Sequence, residues 1–202
     1  MNDLIGFRGN TNLKKANTPI EWTPELIQEY IRCKDDPIYF AEKYVKIITE
    51  DGLVPIQLRD YQKELIMSMV NNRNTYALQS RQSGKTETIR CFSLHYVLFN
   101  PQKTVAILAD KEATVKEILY KIQIAYQALP KWLQSGVVEF NKQSFLLENG
   151  SRIMVAGTSS NSIRGLTIQC VTLDTEITVR DKITGEISKK PIIELFDKTF
   201  IL

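Results

Sequence analysis

The spacing of apolar and polar residues predicts helices in the first third of the chain. In two places a capping side chain stands directly before a proline, at Thr23-Pro24 and at Asp36-Pro37. That order is typical of an N-cap followed by the first helical residue, since the N–H that proline lacks has no helical partner there. Three helices are therefore expected at about 24–33, 37–45 and 59–71.

Beyond these helices the pattern changes to alternating strand and helix. A strand is predicted at 75–78, a loop at 80–86, and at 87–99 a helix that is apolar nearly all round, as in the middle of a layered fold. Thr104–Ala109 is a continuous apolar run, which is typical of a parallel strand covered on both faces. The alternation predicts an α/β fold, with a parallel sheet, right-handed crossovers and flanking helices.

The rest of the chain predicts one more helix and three more strands. Asp110 can cap a helix whose apolar residues, from Val115 to Tyr126, repeat at helical spacing. Strands are expected at 145–148, 152–156 and 165–173, the first two joined by an Asn149-Gly150 turn.

Composition and charge narrow the class of protein. A hydrophobic fraction of 43% in 202 residues allows a real core, and a net charge of +3 tolerates a nucleic-acid partner without requiring one. The three cysteines lie far apart and His95 is the one histidine, which argues against a zinc site or a disulfide framework. The longest apolar run, 91–99, is far shorter than the ~20 residues that cross a bilayer. We expect a soluble intracellular protein.

A phosphate-binding loop is the strongest chemical signal. The string is Ser80-Arg81-Gln82-Ser83-Gly84-Lys85-Thr86. In such a loop Gly84 lets backbone N–H groups approach phosphate oxygens, Lys85 reaches the β- and γ-phosphates, and the hydroxyl of Thr86 binds Mg²⁺. The usual pattern begins with a glycine where Gln79 stands here, and a bare Gly-Lys-Thr also occurs in unrelated loops.

At these residues the chain resembles a known family. Ser-Arg-Gln-x-Gly-Lys-Thr is similar to the deviant Walker A motif of the large terminase subunits of tailed phages, especially the T4-like group. Residues 55–62 resemble that family's adenine-recognising segment, and residues 157–160 and 163–165 resemble the stretch before its Walker B strand. The resemblance covers roughly residues 22–169. It implies an incomplete P-loop NTPase sheet in a DNA-packaging ATPase.

The same resemblance implies ligands, partners and residue roles. Gln57 and Gln62 would read the adenine edge, and Arg81 would act as an arginine finger in cis. The cofactors would be ATP and Mg²⁺. The partners would be double-stranded DNA, the portal and the small terminase subunit at the procapsid in the host cytoplasm, with no membrane. Alternatives remain open for these residues. Arg81 could be a surface arginine, and the two glutamines could be solvated residues. Arg164 could be a structural residue or a DNA contact.

The segment after Gln169 resembles something else. Cys170, followed by Asp174-Thr175 and alternating β residues, is similar to the first block of inteins. The polar, Asn-rich start predicts a flexible arm at 1–21. The two resemblances together imply a terminase-like ATPase portion and N-extein at 22–169 and a short β-rich intein segment at 170–202. Cys170 would attack the carbonyl of Gln169, and a complementary C-terminal fragment would supply the remaining intein and the C-extein. The chain would be a truncation or the short half of a split intein.

Other interpretations of residues 170–176 and of the whole chain also remain open. Residues 171–174 with Glu176 could be a damaged Walker B strand, and Cys170 an ordinary buried strand cysteine. No carboxylate cluster for DNA cleavage follows in the sequence. The chain could also be a fragment of a helicase-like DNA translocase or a non-catalytic nucleotide-binding module. With Walker B missing, we expect the chain alone to bind ATP weakly and to hydrolyse it slowly or not at all.

Overall fold

A computed structural model describes residues 6–80, 82–109, 111–157, 170–174, 176–180 and 187–191. After one turn of 3-10 helix at Phe7–Gly9, the helices are α1 (Pro24–Asp35), α2 (Pro37–Tyr44), α3 (Asp60–Asn71), α4 (Lys85–Phe99) and α5 (Glu112–Gln127). The strands are β1 (Lys46–Thr49), β2 (Gly52–Pro55), β3 (Thr104–Ala109), β4 (Val137–Phe140), β5 (Ser144–Leu147), β6 (Arg152–Gly157), β7 (Cys170–Asp174), β8 (Glu176–Arg180) and β9 (Ile187–Pro191). No helix among the described residues is both long enough and apolar enough to span a bilayer.

The first two helices begin at the predicted caps. The hydroxyl of Thr23 accepts a hydrogen bond from the N–H of Leu26 at 3.3 Å. The carboxylate of Asp36 accepts from Ile38 and Tyr39, both at 2.9 Å. Each cap satisfies backbone donors that have no partner inside the helix, which fixes where α1 and α2 start. Asp110, the predicted cap of α5, lies outside the described residues, and Lys111 is the N-cap residue there.

The main sheet has five strands in the order β4-β5-β6-β3-β7. β6, β3 and β7 are parallel, whereas β4 and β5 run antiparallel to their neighbours, so the expectation of an all-parallel sheet is corrected to a mixed one. The reason lies in the short connection at Asn149-Gly150, where Gly150 has a φ of +79°. A connection this short can join only antiparallel strands, because a parallel pair needs a long crossover.

The strand predicted at 75–78 does not form. This segment pairs with no strand among the described residues, and Leu78 is 78% exposed. Both edges of the central strand β3 are already taken, by β6 and by β7. An extended segment without a ladder partner keeps its backbone groups in solvent, so β propensity alone does not make it a strand.

Helix α4 lies in the middle of the molecule, as its apolar sequence predicts, and packs against α2, α3, α5 and the sheet. His95 is a core residue here, and its Nε2 lies 3.0 Å from the carbonyl oxygen of Cys33, to which it donates. Burial lowers the pKa of His95, so the ring stays neutral near pH 7. Cys33 and Cys91 are buried as expected, and burial raises the pKa of both thiols to about 12. Neither thiol is therefore a nucleophile.

The expected flexible arm contacts the rest of the molecule around Leu13 and Lys14, while most of residues 6–21 are exposed or half-buried. Leu13 is buried, and the carbonyl of Lys14 accepts from the N–H of Val137 in β4 at 2.8 Å. The side chain of Gln134, 1% exposed, accepts from the N–H of Lys14 at 2.8 Å. A buried amide needs partners for its polar atoms, and the arm supplies two of them, since the Nε2 of Gln134 also donates to the carbonyl of Asn12 at 3.0 Å.

Candidate functional site

The loop predicted to bind phosphate precedes α4. Arg81 lies outside the described residues, so its predicted role as an arginine finger stays a prediction. Gln82 and Gly84 both adopt left-handed backbone, with φ values of +62° and +82°. Gly84 is the N-cap residue of α4, where glycine takes this conformation without the steric cost that a side chain adds.

The first turn of α4 presents backbone donors that have no acceptor within the helix. No side chain caps the helix at Gly84. The backbone N–H groups of Lys85, Thr86 and Glu87 are in that first turn, where an α-helix offers them no acceptor of its own. Together with the positive end of the helix dipole, such a turn attracts an anion. The side chain of Thr86 is exposed at the same turn.

Lys85 is folded back across the loop. Its Nζ donates to the carbonyl of Gln79 at 2.8 Å and to that of Ser80 at 3.0 Å. Two of the three ammonium hydrogens are thus taken up by the amino-terminal end of the loop. Contact with a phosphate would require the ammonium to exchange these carbonyl oxygens for phosphate oxygens.

Gln79 occupies the position where the usual motif has a glycine. Its side-chain Oε1 accepts a hydrogen bond from the hydroxyl of Ser83 at 3.3 Å. The side chain therefore reaches across the loop and ties its start to its end.

The carboxyl-terminal end of the loop is bound by α3. The hydroxyl of Tyr61 donates to the carbonyl of Ser83 at 2.7 Å. The Nε2 of Gln62 donates to the carbonyl of Gly84 at 3.2 Å and to the hydroxyl of Thr88 at 3.1 Å. A side chain at position 84 would bring its Cβ to 2.7 Å from this Nε2, so the Gln62 amide would have to move away from its two partners.

This arrangement bears on the predicted adenine contacts. Gln62 is 6% exposed rather than solvated, and its Oε1 accepts from the N–H of Arg59 at 3.0 Å. Both of its amide hydrogens are committed to the loop and to α4, so Gln62 positions the loop. Gln57 is exposed between the buried Ile56 and Leu58, and it is the freer of the two to meet a base.

The sequence motifs did not identify Tyr61 and Thr88 as residues that contact the loop. Thr88 follows Gly84 by one helical turn, and its hydroxyl donates to the Gly84 carbonyl at 3.1 Å. Tyr61 precedes the predicted Gln62, which was the one available signal. Hydrogen bonds between residues some 22 to 26 positions apart depend on how α3 and α4 pack, and a linear motif does not encode that.

The surroundings hold few acidic groups. In the parts of the chain that the structure describes, no group of three or more His, Cys, Asp or Glu side chains could hold a metal ion. Glu87, in the first turn of α4, forms an ion pair with Arg90, which is 4% exposed and also donates to the carbonyl of Lys121 at 2.9 Å. Thr86 is therefore the candidate metal contact that this region offers. Cys170 is the first residue of β7, paired in register with Val105.

Residues 76–199, well over half of the chain, match the family described as terminase large subunit, T4likevirus-type, N-terminal. The chain belongs to this terminase family. The match confirms the predicted terminase resemblance, and the mixed α/β sheet is compatible with it. Terminases of this type are generally ATPases that use ATP and Mg²⁺, and the protein is a component of a phage DNA-packaging motor. The match begins before the loop and runs on through β7, β8 and β9.

Proposed function

We propose that this terminase chain carries the ATP-binding part of the packaging motor and that residues 80–86 are its phosphate site. The observation that supports the proposal is the uncapped first turn of α4, preceded by a loop with left-handed backbone at Gln82 and Gly84. Oriented N–H groups and a lysine at the same turn are the features that bind a triphosphate. The motor would work on double-stranded DNA with the portal and the small subunit, at the procapsid in the host cytoplasm.

The residues divide the work as follows in this proposal. The backbone N–H groups of 82–86 and the side chains of Ser80 and Ser83 surround the phosphates, and the ammonium of Lys85 moves from the loop carbonyls to their oxygens. The hydroxyl of Thr86 holds Mg²⁺, which offsets charge on the phosphate oxygens when bound. Gln57 meets the adenine edge, and Arg81 lies against the phosphoryl group that is transferred.

Loss of the Lys85 ammonium tests the phosphate site. We expect Lys85→Ala to weaken binding of a non-hydrolysable ATP analogue by roughly 30- to 150-fold, because a hydrogen-bonded charge pair contributes about 2–3 kcal/mol. The matched control is Lys63→Ala, which removes an equal charge from α3, where Lys63 forms an ion pair with Glu42 of α2. We expect this control to leave the affinity for the ATP analogue unchanged. Titration calorimetry in Mg²⁺ distinguishes the two. Equal affinities for both variants would remove the basis of the proposal.

We further propose that the chain is completed by protein splicing, with the arm, ATPase portion and intein segment at 1–21, 22–169 and 170–202. The thiolate of Cys170 attacks the carbonyl carbon of Gln169. A C–S bond forms, the C–N bond between the two residues breaks, and the Cys170 amine takes the proton. A cysteine or serine at the start of the C-extein then takes over the Gln169 acyl group and displaces the Cys170 thiolate. The terminal Asn that the partner's intein would supply cyclises through its side-chain amide, which breaks its peptide bond to that cysteine or serine and frees the amine. The acyl group then shifts to this amine, the thiolate or hydroxyl leaves, and a new amide remains. What supports this is the run Cys170 to Thr175, which resembles the first block of inteins and directly follows the last motif residues that resemble the terminases.

A second candidate is favoured by the parallel pairing of β7 with β3 and by the family match through residue 199. In it, β7 is the terminase's own Walker B strand and Asp174 stands at its carboxyl end. Mixing the chain with a fragment that carries the remaining intein and a Walker B strand decides between the two. Splicing predicts a ligated mass with the wild-type chain and with the control Cys33→Ala, and none with Cys170→Ala. Absence of ligation with the wild-type chain favours the Walker B strand.

A further inference from the structure

Strand β3 is paired along both of its edges. Towards β6 the register runs from Thr104 opposite Arg152 to Ala109 opposite Gly157. Towards β7 it runs from Val105 opposite Cys170 to Ala109 opposite Asp174. Five of the six β3 residues are buried, including Val105 and Ala106 at 0% exposure. A strand buried this deeply needs a partner at each edge, because its backbone groups have no access to water.

The proposed splice junction coincides with the start of this second ladder. Cys170, the first residue of β7, is the first residue after the junction, and every residue of β7 lies on its intein side. Splicing would therefore remove the whole strand that covers the outer edge of β3. The new amide joins Gln169 to the first residue of the C-extein. That residue therefore takes the position that Cys170 had in the chain.

The remaining described strands of the segment behave differently. β8 and β9 pair only with each other, from Glu176 opposite Pro191 to Arg180 opposite Ile187. Within 170–202, the five residues of β7 alone join the described part of the ATPase sheet. The segment is thus divided between a strand in the terminase sheet and a hairpin outside it.

We propose that β7 is a placeholder strand, which covers the outer edge of β3 until the first residues of the partner's C-extein replace it by splicing. The occupant to which this commits is the first five residues of the C-extein, parallel to β3 and in the register of β7. Two faces of a central parallel strand are covered, so these residues must be mainly apolar and β-branched. The inference rests on the proposed splicing and adds to it a reason for the position of the junction.

Hydrogen exchange in the full-length chain tests the placeholder. Thr172, opposite Ile107, is at the centre of β7, and Thr178, opposite Lys189, is at the centre of β8. Proline at either position removes one ladder donor and fixes φ. We expect Thr172→Pro to speed exchange of the β3 amides that face β7 by about tenfold or more, and Thr178→Pro to leave them unchanged. The amides of β5 and β6 report whether the sheet as a whole still folds, and Thr172→Gly serves as a milder variant if it does not.

The outcomes separate the two proposals. Ligation together with unchanged β3 exchange in Thr172→Pro and Thr172→Gly would overturn the placeholder and leave splicing intact. Faster β3 exchange in Thr172→Pro without any ligation by the wild-type chain would overturn splicing, and the placeholder with it, because β7 would then be a permanent strand. Faster exchange with ligation, and equal protection of β3 in the spliced product, is the result that supports the placeholder.

Discussion

The two ends of the phosphate loop are held in different ways. At the carboxyl-terminal end, side chains of another helix bind the backbone, with Tyr61 on the Ser83 carbonyl and Gln62 on the Gly84 carbonyl. At the amino-terminal end, the carbonyls of Gln79 and Ser80 are bound by Lys85, which belongs to the motif itself. One end is part of a frame made by α3 and α4, and the other is held by the group that is expected to bind the ligand.

This difference indicates which end changes when nucleotide binds. Gln62 is 6% exposed, and its contacts cannot be replaced by water without opening the packing of α3 on α4. Lys85 is half-buried and Ser80 is exposed, so water or phosphate can take over that contact at little cost. We therefore expect the carboxyl-terminal end to stay fixed and the amino-terminal end to rearrange.

Gly84→Ala gives the largest expected effect on stability. The left-handed φ of +82° costs about 1–2 kcal/mol for alanine, and moving the Nε2 of Gln62 away from the new Cβ breaks its hydrogen bonds to Gly84 and Thr88, which adds about 1–3 kcal/mol. Gly9→Ala is the matched control, because its φ is +83° with no atom within 4 Å. Urea unfolding measures both. If Gly84→Ala costs no more than Gly9→Ala, then α3 does not press against the loop.

Gln62→Ala tests a buried residue of the frame made by α3 and α4, and it is compared below with a variant at an exposed position. Removal of the Gln62 amide leaves the N–H of Arg59 without this partner and takes one donor each from the Gly84 carbonyl and the Thr88 hydroxyl, so we expect a loss of about 2–3 kcal/mol in the free energy of unfolding. Gln57→Ala, at an exposed position, should stay within about 0.5 kcal/mol of wild type while weakening discrimination between ATP and GTP. Equal losses in the two variants would show that Gln62 does not hold the loop.

The fold could be predicted from the sequence where short-range chemistry decides it. The caps at Thr23 and Asp36 and the apolar surface of α4 were confirmed, because each depends on neighbours within one or two turns. The β1–β2 hairpin was missed, although Asp51-Gly52 is a hairpin signal and Gly52 has a φ of +100°. The four-residue strands β1 and β2 were too short for their periodicity to stand out.

The sequence motif was enough to locate the candidate site residues, but it did not predict the contacts between them. The motif located Gly84, Lys85 and Thr86, whose roles follow from residue type and stay a prediction until ligand binding is measured. The burial of Gln62 and the contact of Tyr61 with Ser83 arise from the packing of α3 on α4. The strand expected at 75–78 failed for the same kind of reason, since pairing depends on which edges are free.

Tyr61→Phe probes the frame more gently. It removes one hydrogen bond, 2.7 Å long, to the Ser83 carbonyl and keeps the ring, so we expect a loss of about 1 kcal/mol in the free energy of unfolding. Tyr120→Phe is the matched control, because Tyr120 is 54% exposed on α5 and should change stability by less than about 0.5 kcal/mol. A loss in Tyr61→Phe that is no greater than in Tyr120→Phe would mean that the hydroxyl contact adds nothing to the frame.

Ser83→Ala gives the smallest expected effect, since it acts on the end that should rearrange. It removes the 3.3 Å hydrogen bond to Gln79 and leaves the Ser83 carbonyl, which Tyr61 binds, in place. We expect a change below about 0.5 kcal/mol in the free energy of unfolding, because water can replace a contact in this partly exposed loop. Calorimetric unfolding of Ser83→Ala and Tyr61→Phe measures this change. The first variant tests the side chain of Ser83, and the second tests the hydrogen bond to its carbonyl. A loss larger than that of Tyr61→Phe would reverse the comparison, and the amino-terminal end would then be the fixed part of the loop.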